Sequence, residues 1–158
     1  MILDPVVQKM IDELAAEGVP PVYTLTPAEA REGLLRMQSR ALSKPSARIR
    51  DLHVESHGQV LRLRIIHPET AAHRFPVVVY LHGGGWVLGD STTHDRLIRE
   101  LAVGAEAAVV FVEYDRAPEC HYPVAIEEAY AATCYVTEHA DALDIDATRL
   151  AVVGDSAG

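Results

Sequence analysis

The spacing of apolar residues changes along this chain from a helical period to alternation, and then to short continuous runs. Leu3, Val7, Met10, Ile11 and Leu14 recur at helical spacing; Asp4 can cap them with Pro5 at the first helical position, and Gly18 can stop them. This predicts a first helix. After the Pro20-Pro21 break, Thr26-Pro27-Ala28-Glu29 supplies a capping box for a second helix running to about Ala41. Ser43-Lys44-Pro45-Ser46 reads as a linker. Two such helices are too small to enclose a core and must pack on something else.

The next stretch alternates. Leu52 and Val54 interleave with His53 and Glu55, while Leu61, Leu63 and Ile65 interleave with Arg62 and Arg64. With Gly58 between the runs, this predicts an antiparallel hairpin with one wet face. His53, His57, His67 and His73, on or beside it, are expected to face solvent.

From Pro76 onward the apolar runs become continuous, as in strands covered on both faces. Val77–Leu81, Ala108–Val112 and Leu150–Val153 are expected as buried strands. Between them lie two predicted helices. The first runs from Thr93 to Val103, with Leu97, Ile98 and Leu101 on one side and Gly104 as its stop. The second opens at Pro123 and carries Ile126, Ala129, Tyr130, Thr133 and Cys134 on its inward face. Strand and helix in alternation imply an α/β fold, with a mostly parallel sheet, right-handed crossovers and helices on both faces.

Composition narrows the picture without changing it. The chain has 158 residues, of which 49% are hydrophobic and 23% charged, and no apolar run is long enough to span a bilayer. A formal charge of -9 argues against nucleic-acid and anionic-membrane partners, which want a basic footprint. Met1 to Pro5 shows no basic stretch followed by an apolar one, so a cytoplasmic protein is expected. Cys120 and Cys134 have neither metal spacing nor a disulfide pattern, and Cys134 is expected as a buried free thiol.

Candidate chemistry sits where the apolar runs end. Gly154-Asp155-Ser156-Ala157-Gly158 follows the last run directly, and a strand feeding a glycine-flanked serine is the entry to a nucleophile elbow. His82-Gly83-Gly84-Gly85-Trp86 follows the first run. Consecutive glycines bring backbone N–H groups close to a substrate, and two such donors can hold a developing oxyanion. A flexible turn or a phosphate cradle is the other reading; the latter lacks both the P-loop pattern and a G-x-G-x-x-G opening a helix. His82 reads as a loop-ordering residue rather than a base. Tyr114-Asp115-Arg116-Ala117-Pro118-Glu119, after the second run, reads by itself as a charged turn.

Together these segments resemble the hormone-sensitive-lipase-like family of α/β-hydrolases, esterases that pair an HGGG loop with a GDSAG elbow and carry a Y-x-L-A-P-E segment between them. Gly89–Arg96 and Tyr122–Glu128 are also similar to acetyl-esterase-type members, so the likeness covers roughly residues 50–158. The resemblance implies residues 1–45 as a helical cap and 46–158 as the N-terminal half of the hydrolase core. It implies Ser156 as nucleophile, and Gly83, Gly84 and Ala157 as oxyanion donors. Trp86, Gly85 and Asp155 would border the substrate pocket, Asp155 in a structural role. Arg116 departs from the pattern, standing where the family usually has leucine. A charge there must pair or reach water, and Asp115 and Glu119 are candidate partners.

The implied activity is a serine carboxylesterase acting on small short-acyl esters, with no metal and no organic cofactor. Its acid and histidine are expected beyond Gly158, so the 158-residue chain alone is expected to be inactive. The Leu150–Gly154 strand is expected to be left as an apolar edge, and the chain to need the remainder of the same protein, or a second chain, in order to fold. Oligomerisation is left open. The alternatives are a non-catalytic small-molecule-binding protein on the same scaffold, or an inert fragment.

Overall fold

The computed structural model describes residues 3–39, 42–70 and 74–158. Helix α1 (Pro5–Ala16) begins as its sequence dictates, with the Asp4 carboxylate accepting from Val6 N at 2.8 Å. Helix α2 (Pro27–Gln38) starts at the expected capping box: Thr26 Oγ1 accepts from Glu29 N, and the Glu29 carboxylate accepts from Thr26 N. The α2 helix ends at Gln38; the expected end at Ala41 lies outside the described residues. No residue of α1 is buried, and α2 buries only Ala30.

The hairpin forms as expected. Strands β1 (Ala47–Ser56) and β2 (Gln59–Pro68) pair antiparallel around His57-Gly58, both with positive φ, the backbone of a tight two-residue turn. Strands β3 (Phe75–Leu81), β4 (Ala108–Val112) and β5 (Ile145–Gly154) complete one five-stranded sheet in the order β1-β2-β4-β3-β5. Strand β4 runs antiparallel to β2, whereas β3 runs parallel to both β4 and β5, so the sheet is mixed.

Helices cover both faces, and strand alternation decides which side chain meets which helix. Helix α3 (Asp95–Gly104) sets Ile98 and Ala102 against Ile66, Tyr80, Val109 and Phe111. Helix α4 (Val124–Glu138) sets Ala131, Ala132 and Val136 against Leu61, Leu63, Val77, Val79, Val110 and Val112 on the opposite face. Each fully buried aliphatic side chain contributes about 1.5–3 kcal/mol.

Four expectations are corrected. The inward face of α4 is Glu128, Ala131, Ala132 and Val136, while Ile126 and Tyr130 are exposed. This helix is apolar nearly all round, so periodicity cannot select a face, and the small alanines allow closer approach to the sheet. Leu97 of α3 is exposed, and Cys134 is only half-buried. His67 is buried rather than wet: it stacks obliquely on Phe75 and its Nε2 meets the Leu143 carbonyl at 3.0 Å. Among the described residues strand β5 pairs with β3 alone, so the apolar edge expected for Leu150–Gly154 is present, with Val152 and Val153 exposed on it. His73 lies outside the described residues.

Candidate active site

Strands β3 and β5 run parallel and adjacent, so the loop after Leu81 and the turn after Gly154 emerge side by side at the carboxyl edge of the sheet. This is where open α/β sheets bind ligands. Ser156 sits in the turn with φ of 50°, a left-handed conformation costly for a residue with a side chain. The flanking glycines are steric requirements. A Cβ at Gly154 would overlap the Gly158 backbone, and a Cβ at Gly158 would overlap the Leu81 carbonyl. Ser156 is exposed, and its hydroxyl has no hydrogen-bond partner among the described residues.

The glycine loop is tied to this turn by Asp155. Its Oδ1 accepts from Gly83 N and from Tyr80 Oη, each at 2.8 Å, and lies 3.7 Å from His94 Nε2. Burial pushes the Asp155 carboxyl up, but the bonds from Tyr80 and Gly83 and the neighbouring imidazoles outweigh it and hold it below the usual range. The same environment pushes the Tyr80 phenol up, burial first and the Asp155 carboxylate second. Asp155 thus ties the Ser156 turn to the glycine loop and to strand β3.

That tether corrects the expectation for Gly83. An amide has one hydrogen to donate, and this one already goes to Asp155. The N–H groups of Gly84, Gly85 and Ala157 have no acceptor among the described residues.

His82 orders the loop from below. It is fully buried, stacked between Phe111 at 5.2 Å and Tyr114 at 4.1 Å between ring centroids. Its Nδ1 lies 2.8 Å from the Gly83 carbonyl, which can only accept, so that nitrogen carries the hydrogen. The Tyr114 hydroxyl donates to the His82 carbonyl. Burial lowers the His82 pKa and raises that of the Tyr114 phenol to about 12.

The expected pocket residues divide between two cavities. Gly85 and Trp86 border an apolar one of about 390 Å3, with Ala117, Tyr122, Pro123 and Ile126. Asp155 borders another of about 510 Å3, with Gly83, Gly84, Leu34, His94 and Leu97. Arg116 pairs with neither expected partner: its guanidinium donates to the Gly89 carbonyl and stands 4.0 Å from the Asp90 carboxylate. Asp115 is taken by Arg62, and Glu119 by Arg31. No local sequence pattern marks Tyr80, His94 or Arg31. Tyr80 falls inside an apolar run, and the partners of the other two are distant along the chain.

Comparison with known proteins accords with this geometry. The α/β hydrolase fold family matches residues 78–158, and the chain belongs to that family, on the branch of the hormone-sensitive-lipase-like esterases. The esterase LipI of Mycobacterium tuberculosis is 42% identical across 99% of this chain and 48% of its own length. The carboxylesterase NlhH of the same organism is 40% identical over 99% of this chain and 48% of its own length. A thermostable esterase from Pseudomonas putida superposes with a TM-score of 0.95 at 39% identity, covering 99% of this chain and 49% of that structure. The chain thus spans about half the length of the curated relatives it matches.

Proposed function

We propose that this chain is the nucleophile-bearing part of a serine carboxylesterase that hydrolyses small, short-acyl esters. The observation that carries the reading is Ser156: a left-handed serine on a glycine-flanked turn, beside the N–H groups of Gly84, Gly85 and Ala157, which no described residue accepts. Relatives named as esterases support the same chemistry.

In this mechanism Ser156 Oγ attacks the ester carbonyl while a histidine outside these residues takes its proton. The carbonyl oxygen becomes an oxyanion facing the Gly84, Gly85 and Ala157 amides; each well-placed donor is worth about 3–4 kcal/mol in the transition state. The alcohol leaves with the proton. Water then attacks the acyl-serine by the same route and releases the acid. The apolar cavity beside Gly85 and Trp86 suits a small apolar substituent. Residues 1–45 act as a cap, and a complement supplies the acid and the histidine. That complement and this chain together are the complete enzyme.

A fluorophosphonate probe tests the assignment. The complete enzyme should gain one adduct on Ser156, and Ser156→Ala should lose labelling and several orders of magnitude in turnover. Full turnover by Ser156→Ala would refute the nucleophile.

A further inference from the structure

Arg31 belongs to α2, yet its guanidinium is engaged with the core. Nε donates to the Val87 carbonyl and Nη2 to the Ala117 carbonyl, both at 2.8 Å. Nη1 and Nη2 meet the two carboxylate oxygens of Glu119 at 2.7 and 2.8 Å. The side chain is 22% exposed. These acceptors lie on two different loops. Val87 closes the turn made by Gly84, Gly85 and Trp86, its own N–H donating to the Gly84 carbonyl at 3.1 Å. Ala117 N donates to the Trp86 carbonyl at 2.8 Å, joining the second loop to the first. One planar fork therefore grips both loops at their junction, a task for which the point charge of lysine has too few fixed donors.

The far end of the same turn is held from the core. Arg116 donates to the Gly89 carbonyl. The glycine loop is thus fastened by one arginine from the core and one from the N-terminal helices.

We propose that Arg31 is a positioning residue for the oxyanion donors, so that docking of residues 1–45 and alignment of the Gly84 and Gly85 amides are a single event. This rests on the serine-esterase reading. Removing Arg31 frees the Val87 carbonyl and lets the Gly84–Leu88 turn shift; donors displaced by a fraction of an ångström lose most of their value to the transition state. Substrate still enters its pocket.

The test uses the complete enzyme with 4-nitrophenyl acetate as substrate and a trifluoromethyl ketone as tetrahedral mimic. Arg31→Ala should lower kcat about tenfold or more with KM within about twofold, weaken the mimic in parallel, and recover in part with added methylguanidine. Arg31→Lys should show the same direction of loss, and it decides the matter if Arg31→Ala does not fold. Unchanged kcat with only a lower melting temperature, or a loss confined to KM, overturns the proposal. Fluorophosphonate labelling of the unaltered enzyme separates the two ideas. Labelled Ser156 with insensitive Arg31 variants sinks the positioning role alone; an unlabelled Ser156 sinks both.

Discussion

Asp155 and Gly83 are joined by one hydrogen bond of 2.8 Å from the loop amide to the carboxylate, and it ties the Ser156 turn to the glycine loop. The bond gives Asp155 a structural duty and settles which glycine amides remain free.

Replacing Asp155 by Ala removes the acceptor shared by Gly83 N and Tyr80 Oη, at a cost of about 1–3 kcal/mol of stability in the complete enzyme. Asp155→Asn keeps an acceptor without the charge and should cost less, and Tyr80→Phe about 1 kcal/mol. Urea unfolding of the three variants ranks them. Asp155→Ala as stable as Asp155→Asn would show that the tether contributes little.

The backbone of Ser156 offers a second measurement. Glycine adopts φ of 50° freely, whereas serine and alanine do not. Ser156→Gly should therefore be more stable than Ser156→Ala by about 0.5–1 kcal/mol, with both inactive. Equal melting temperatures would mean that the elbow stores no strain.

His67 and His82 make stability depend on pH. Burial lowers both pKa values in the folded state, against the Leu143 carbonyl bond at His67 and the Gly83 carbonyl bond at His82. The unfolded chain takes up protons as pH falls through about 6.5, and the folded state takes them up only at lower pH. Stability is therefore full above that range and declines below it, by up to about 1.4 kcal/mol per pH unit for each histidine. Buried Glu128, whose carboxyl is raised chiefly by burial, works in the opposite sense. Urea titrations at pH 7.5 and 5.5 should show the drop, reduced in His67→Gln. A slope unaltered by that substitution would clear His67.

Much of this architecture is legible because local chemistry agrees with tertiary packing. The Thr26 capping box, the His57-Gly58 hairpin turn, the apolar runs of β3 and β4 and the glycines around Ser156 all carry their reasons within a few residues. What sequence pattern does not carry is choice among equals. Helix α4 offers Ala131 and Ile126 on different faces, and only contact with the sheet selects the alanine. Gly83, Gly84 and Gly85 are identical in sequence, and only Asp155 sets the first apart. His67 looks like a hairpin surface residue until Phe75 and Leu143 close over it. Arg116 and Arg31 find acceptors remote from them in the chain.

The fastenings of the glycine loop share one property: they grip main-chain atoms. Asp155 holds Gly83 N, Ala117 N holds the Trp86 carbonyl, Arg31 the Val87 carbonyl and Arg116 the Gly89 carbonyl. The course of the loop is therefore set by these main-chain bonds, by the buried His82 ring and by the bare glycines, since a Cβ at Gly83 or Gly84 would overlap Asp155 or Leu88. Trp86, nearly half exposed, lines the apolar cavity with its side chain while Ala117 N holds its carbonyl, and its φ of 58° restricts which residues can replace it. A residue that tolerates the left-handed backbone can stand at that rim and reshape the cavity wall while the hydrogen-bonded frame of the turn keeps its course.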